Sequence, residues 1–358
     1  MEGKHVAVPL LPSPTLNRLG RCVAHPQSLA SNSHRNLQTA ASDLRAMSAK
    51  LPSIDATTAA VVGNAGSSFW LFNPEVGWDL THPQSPDDAP LPPARRLTLA
   101  TTTSPITIDP AKTALIVIDM QNLFLSPAMG RSPGPGHDAE KVLLSTAFPA
   151  AREAGIRIVH IIWGINDEEL AVLPPTIFKT FGYKQTPAAD HERGERYDEK
   201  EGTMDVGRDM GTLKFPNGTT VSAGRALMRG QWNTALYDGM QKSFDESQDT
   251  PMPQVRFHKN RLSGFWAGSG GVVDYLRKHN ITTLLFTGVN TDQCVLASLQ
   301  DACNLGFDII LLKDACGTSS PEYARVMVEF NVRKSWGFVS TCKDLADAVK
   351  AARQTVSL

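Results

Sequence analysis

From about residue 97 to the C-terminus the chain alternates short apolar runs with amphipathic helix patterns, and no other feature limits its possible folds as strongly. Thr113-Ala-Leu-Ile-Val-Ile118 is apolar throughout, as a strand covered on both faces requires. Residues 156–162, 282–287 and 307–312 repeat that texture, and 255–258 and 337–340 are shorter versions. Residues 139–154, 270–279, 295–305, 321–331 and 343–353 read as helices, with Gly155 and Gly306 as C-terminal stops. Strand–helix alternation of this kind predicts a doubly wound α/β architecture: a parallel sheet with right-handed crossovers and helices on both faces.

The first 95 or so residues differ in texture, being rich in Ser, Pro, Asn and Ala. Ala59-Ala-Val-Val62 and Ser68-Phe-Trp-Leu-Phe72 are short strand-like runs, too apolar for a purely disordered tail. Pro83 to Pro93 is a Pro- and Asp-rich connector. We therefore divide the chain into an N-terminal extension, residues 1–95, and a main domain, residues 96–358. The first 50 or so positions are expected to be mostly mobile, and the rest of the extension to pack on the main domain. The polar insertion at about 165–250 holds a charged run, residues 191–201, whose ordinary reading is a solvated face.

Composition narrows the function classes. The 35 basic and 36 acidic side chains leave a formal charge of −1, which removes the general electrostatic reason for a nucleic-acid partner. No apolar run approaches the roughly 18 to 20 residues of a membrane span. Five cysteines with no C-x-x-C pair suit a reduced, cytoplasmic protein.

In parallel α/β sheets chemistry sits at the carboxyl ends of the strands. The run ending at Ile118 delivers Asp119-Met-Gln-Asn122, and the run ending at 162 delivers Trp163-Gly-Ile-Asn166. Lys259 follows the 255–258 run, and Gly288-Val-Asn-Thr-Asp-Gln-Cys294 follows the 282–287 run. Cys294 falls in the first turn of a helix, where unpaired N–H groups lower a thiol pKa, and the amides near Gln293 and Cys294 suit an oxyanion. The competing reading is a small buried apolar residue. A carboxylate such as Asp119 can take a thiol proton, and an ammonium such as Lys259 can hold that carboxylate. Taken singly, Asp119 is a structural carboxylate and Lys259 a surface charge. His160 falls inside a strand and His258 beside Lys259, so neither is placed to act as the base. Phe124, Trp163, Asn166 and Trp266 lie just beyond strand ends and are candidate pocket residues for a small planar or cyclic substrate; for the aromatics, core packing is the alternative.

The phrases Leu115-Ile-Val-Ile-Asp-Met-Gln-Asn122, Lys259-x-x-x-Ser263-x-Phe265 and Gly288-Val-Asn-Thr-Asp-Gln-Cys294 resemble the three signatures of the isochorismatase-like cysteine hydrolases. The resemblance covers about residues 97–350, and the wording is most similar to fungal members. It implies a six-stranded parallel sheet flanked by helices, a catalytic triad of Asp119, Lys259 and Cys294, a homodimer or homotetramer, and a non-proline cis peptide around Val289–Asn290.

Members split by chemistry. Nicotinamidases carry a metal-binding Asp-x-His-x-x-His after the second strand; here that stretch is Trp163-Gly-Ile-Asn-Asp-Glu168, without histidine. No metal and no cofactor are therefore expected. True isochorismatases lack the nucleophilic cysteine, so Cys294 points to attack at a carbonyl carbon and cleavage of a small C–N substrate. Two other classes stay open: a vinyl-ether hydrolase and a non-catalytic binding protein on the same fold.

Overall fold

The computed structural model describes residues 59–182, 185–187, 195–197, 206–268 and 270–356. The expectation for the first 50 residues, and most of the charged run at 191–201, lie outside them.

Six parallel strands form the central sheet: β6 (Thr113–Ile118), β7 (Arg157–Trp163), β12 (Val255–Lys259), β13 (Thr283–Val289), β14 (Asp308–Gly317) and β15 (Phe338–Ser340), in the spatial order β12-β7-β6-β13-β14-β15. Every residue of β6 and of β13 is buried, which is why their sequences run apolar without alternation. Ala114, Ile116 and Ile118 belong to the core on one face, with Leu276, Leu299 and Val328 from the helices Val272–Lys278, Leu296–Asn304 and Glu322–Asn331. Leu115 and Val117 face the other layer, with Phe148 and Leu345 from the helices Phe148–Ala154 and Cys342–Val356. The period-2 alternation of side chains along one strand thus feeds two cores.

A second sheet precedes the first. Strands β1 (Ala60–Asn64), β2 (Ser68–Asn73), β3 (Gly77–Asp79), β4 (Leu97–Leu99) and β5 (Ile106–Ile108) pair in the order β1-β2-β3-β5-β4. It is pinned at the start of β14: Asp308 accepts hydrogen bonds from Trp70 Nε1 (2.8 Å) and Thr283 Oγ1 (2.8 Å), and His82 Nε2 lies 2.6 Å from its second oxygen. The Trp70 and Trp78 rings both lie within 6 Å of Phe338 on β15 (5.7 and 5.9 Å between centroids).

The stretch read as one polar insertion is partly folded. It holds the helices Asp167–Ala171, Pro175–Gly182 and Asp238–Ser247, and two hairpins, β8 (Gln185–Pro187) with β9 (Glu195–Tyr197) and β10 (Thr212–Lys214) with β11 (Thr220–Ser222). Ala223, Ala226, Leu227, Leu236 and Met240 are core residues. The motif after β6 holds this segment in place: Gln121 Nε2 donates to Trp163 O (2.9 Å) and Thr234 O (2.7 Å), and Asn122 Nδ2 donates to Trp232 O (2.9 Å). Among the described residues, no helix is long and apolar enough to cross a membrane.

Candidate active site

The carboxyl ends of three adjacent or near-adjacent strands bring Asp119, Lys259 and Cys294 together. Asp119 follows β6 with φ 53°, a left-handed backbone that Asp tolerates better than most residues and that clusters at functional sites. Its amide donates to Ile161 O (3.0 Å), so β7 fixes the turn that aims the carboxylate. Oδ1 accepts from the Trp163 amide (3.2 Å), and Oδ2 lies 3.0 Å from Lys259 Nζ. Both side chains are buried, at 0% and 1% exposure.

Lys259 ends β12. Its ammonium also donates to Arg261 O (3.2 Å) and sits 3.9 Å from the centre of the Trp163 ring. A buried cation needs such complete partnering, because desolvation alone costs several kcal/mol. The remaining residues of its motif build the turn: Ser263 Oγ accepts from the Phe265 amide (3.0 Å), and Phe265 packs on Phe286 and Phe307.

Cys294 is reached through the turn after β13. Gly288 has φ 108°, and a Cβ there would stand 2.1 Å from Ile118 O, so only glycine lets β13 pass β6 at this point. The Val289–Asn290 peptide is cis. Thr291–Val295 then forms a wide helical turn leading into Leu296–Asn304, and places Cys294 at 4% exposure. Thr291 Oγ1 is buried there and finds no hydrogen-bond partner among the described residues.

Two expectations need correction. The helix N-terminus does not win at Cys294: burial pushes the thiol up to about 12, Lys259 pulls against it, and the neighbouring Asp119 charge adds to the rise. That direction favours the neutral thiol, and the Asp119 carboxyl hydrogen-bonded to it is itself raised by burial although Lys259 opposes the shift. The Gln293 amide is also not a free oxyanion donor, since it already donates to Asn290 O (3.0 Å).

The four aromatic and amide candidates separate. Phe124 is half-buried and packs on Phe181 (6.5 Å between centroids), which also meets Trp163 edge-on (4.9 Å). Trp163 is fully buried beneath Lys259. Trp266 is half-buried; its Nε1 donates to Asn260 Oδ1 (3.1 Å), and Arg261 stacks on its ring (4.8 Å). Asn166 caps the helix Asp167–Ala171: Oδ1 accepts from the Glu169 amide (2.7 Å), and Glu169 Oε2 accepts in return from the Asn166 amide (2.9 Å). Its side chain serves the helix, not a pocket. Arg225 and Arg229 are likewise tied, to Asp167 (2.8 Å) and to Glu169 (2.9 Å). Phe181 lies in the insertion, where only the apolar spacing of Ile177, Phe178 and Phe181 marks a packed helix in the sequence. Among the described residues, no three His, Cys, Asp or Glu side chains gather as metal ligands.

A doubly wound α/β sheet with an Asp–Lys–Cys cluster at its carboxyl edge defines the class. An isochorismatase domain model matches residues 212–353. The ureidoacrylate amidohydrolase RutB of Caulobacter vibrioides is 30% identical over 246 residues, covering 67% of this chain and 92% of that protein. The protein of the same name from Rhizobium rhizogenes is 27% identical over 273 residues, covering 75% and 95%. A solved cysteine hydrolase from Pseudomonas syringae pv. phaseolicola superposes with a TM-score of 0.48 at 14% identity, over 72% of this chain and 98% of that one. The chain belongs to the isochorismatase-like family.

Proposed function

We propose that this protein is a cysteine-dependent hydrolase cleaving an amide-type C–N bond of a small molecule through a thioester. The observation that carries the reading is the meeting of a buried carboxylate, its ammonium partner and a thiol at three strand ends. The relatives named as ureidoacrylate amidohydrolases support the bond type.

In this scheme Asp119 takes the Cys294 proton as the sulfur attacks the carbonyl carbon, so that no free thiolate need accumulate. Backbone amides of the turn after Val289–Asn290, that of Cys294 among them, hold the oxyanion. Asp119 returns the proton to the departing nitrogen, then activates the water that opens the thioester. Lys259 keeps the carboxylate oriented and offsets its charge while the proton is away. Phe124, Phe181 and Trp266 form the walls for a small planar or cyclic substrate, and the scheme requires no metal or cofactor.

The free thiols of Cys294, Cys303, Cys316 and Cys342 support a cytoplasmic setting. The exposed apolar stripe Tyr323, Val326, Met327 and Phe330 on one helix supports assembly as a homodimer or homotetramer. The placement among fungal members rests on the wording of the sequence alone.

The test is intact-protein mass after brief incubation with a panel of small amides and ureido compounds. An acyl adduct on Cys294, absent from Cys294→Ala, is the expected result. Turnover of an amide by Cys294→Ala, or turnover of isochorismate alone, overturns the reading.

A further inference from the structure

Trp163 contacts two members of the cluster directly. Its ring carries the Lys259 ammonium (3.9 Å), and its amide donates to Asp119 Oδ1 (3.2 Å). The side chain is fully buried, in the same apolar core as Cys294. Among the described residues its indole Nε1–H nevertheless has no hydrogen-bond partner. A buried donor left unsatisfied is costly, and in native structures such a group calls for an explanation.

The surroundings of Cys294 supply one. Besides Asp119 and Lys259, the group acting on its sulfur is the Trp163 side chain, which favours the charged form. Among the described residues no group, the Cys294 thiol included, accepts from the indole, so the donor stays idle at rest. When the proton passes from Sγ to the Asp119 carboxylate, the electron pair of the S–H bond remains on sulfur. The idle donor then gains an anionic acceptor, and no proton leaves the indole. The shift that makes the nucleophile also satisfies the buried donor.

We infer that the indole N–H of Trp163 is a built-in hydrogen-bond donor to the ionised Cys294 sulfur, so that Trp163 takes part in forming the nucleophile instead of lining a substrate pocket. The assignment rests on Cys294 as the nucleophile and deepens that reading. It also accounts for the placement of the residue: the ring seats Lys259, and its side chain acts on the Cys294 sulfur in favour of the charged form.

The experiment compares the parent protein with a variant carrying 3-benzothienylalanine at position 163, which keeps the bicyclic shape and the aromatic face but replaces N–H by sulfur. Trp163→Phe serves as a second variant. The readout is the rate of Cys294 carbamidomethylation by iodoacetamide from pH 6 to 10, followed by intact mass with Cys294→Ala as the blank. Thiolate sulfur displaces iodide in this reaction, so the rate reports thiolate formation and needs no substrate. A hydrogen bond to a charged group is worth a factor of roughly 10 to 100. The benzothienyl protein should therefore alkylate at least about 10-fold more slowly than the parent at every pH of the series. A purely structural role would lower thermal stability and leave that rate, measured on the folded protein, in place. Equal rates in the parent and benzothienyl proteins overturn the Trp163 assignment alone. A parent Cys294 that stays unmodified even at pH 10 overturns the nucleophile and this assignment with it.

Discussion

Lys259 Nζ and Asp119 Oδ2 lie 3.0 Å apart in an ion pair from which solvent is excluded on both sides. Removing one partner strands the other charge in the core, which typically costs 3–5 kcal/mol. Lys259→Met is expected to lose about that much stability and nearly all activity. Asp119→Asn keeps the shape and should lose roughly 10²- to 10⁴-fold in rate, the range for a general base. The double variant should regain part of the stability and none of the activity; chemical denaturation of the three proteins checks this.

Cys294→Ala should abolish turnover while the unfolding midpoint stays within a few degrees, because the side chain it removes is small. The parent thiol, pushed up to about 12 by burial, should alkylate more slowly at pH 7 than an exposed cysteine does. Alkylation faster than that of a model thiol at pH 7 would contradict the burial argument.

At Gly288 a methyl group would meet Ile118 O at 2.1 Å, with the backbone already at φ 108°. Gly288→Ala should cost about 2–4 kcal/mol, as overpacking combined with a disfavoured backbone does. A soluble variant with an unchanged melting temperature would show that β6 and β13 can separate here at no cost.

How far the sequence carried these features differs by element. The buried run of β6 and the three strand-end motifs were readable because a strand covered on both faces admits only apolar residues, and because reactive groups must sit where the chain leaves the sheet. The work done by Asn166 was not: a capping box and a pocket amide need the same residue after the same strand, and only Glu169 three positions on separates them. Nor was the Cys294 shift, since desolvation comes from side chains distant in sequence and outweighs the local helix end. The folded part of the insertion was hidden because its anchors, such as Gln121 to Thr234, lie 113 positions apart.

His160 sets a pH dependence. It is fully buried, and desolvation, aided by Arg256, pushes it down to about 4 against the opposing hydrogen bond with Gln254. In the unfolded chain it titrates near its ordinary value of 6.5. Between those values the unfolded state holds more proton, so stability is complete above about pH 6.5 and falls as the pH drops towards 4, by up to about 3 kcal/mol. Urea midpoints at pH 7.5 and 4.5 should diverge more in the parent than in His160→Leu. Equal slopes in the two proteins would remove His160 as the cause.

Asp308 holds the N-terminal sheet through Trp70 and His82. Asp308→Ala leaves the part-buried Trp70 donor and the buried Thr283 hydroxyl without their acceptor and should cost about 3 kcal/mol. Limited proteolysis should then cut within residues 59–108 before the central domain. Unchanged resistance there would mean that the contacts of Trp70 and Trp78 with Phe338 suffice.

The placement of β6 has a consequence for how a cell makes this protein. This strand is the first of the central sheet to leave the ribosome, yet it lies in the interior of the order β12-β7-β6-β13-β14-β15, between β7 and β13. Until β13 is synthesised, one hydrogen-bonding edge of this buried strand stays open, and until β12 is synthesised the Asp119 carboxylate beside it has no Lys259. The hydrogen bond from Trp70 to Asp308 spans 238 positions and waits longer still. A nascent chain stalled before β13 therefore offers a sticky edge to other chains. It follows that expression yield should depend on translation speed and chaperone supply more than the stability of the finished protein suggests.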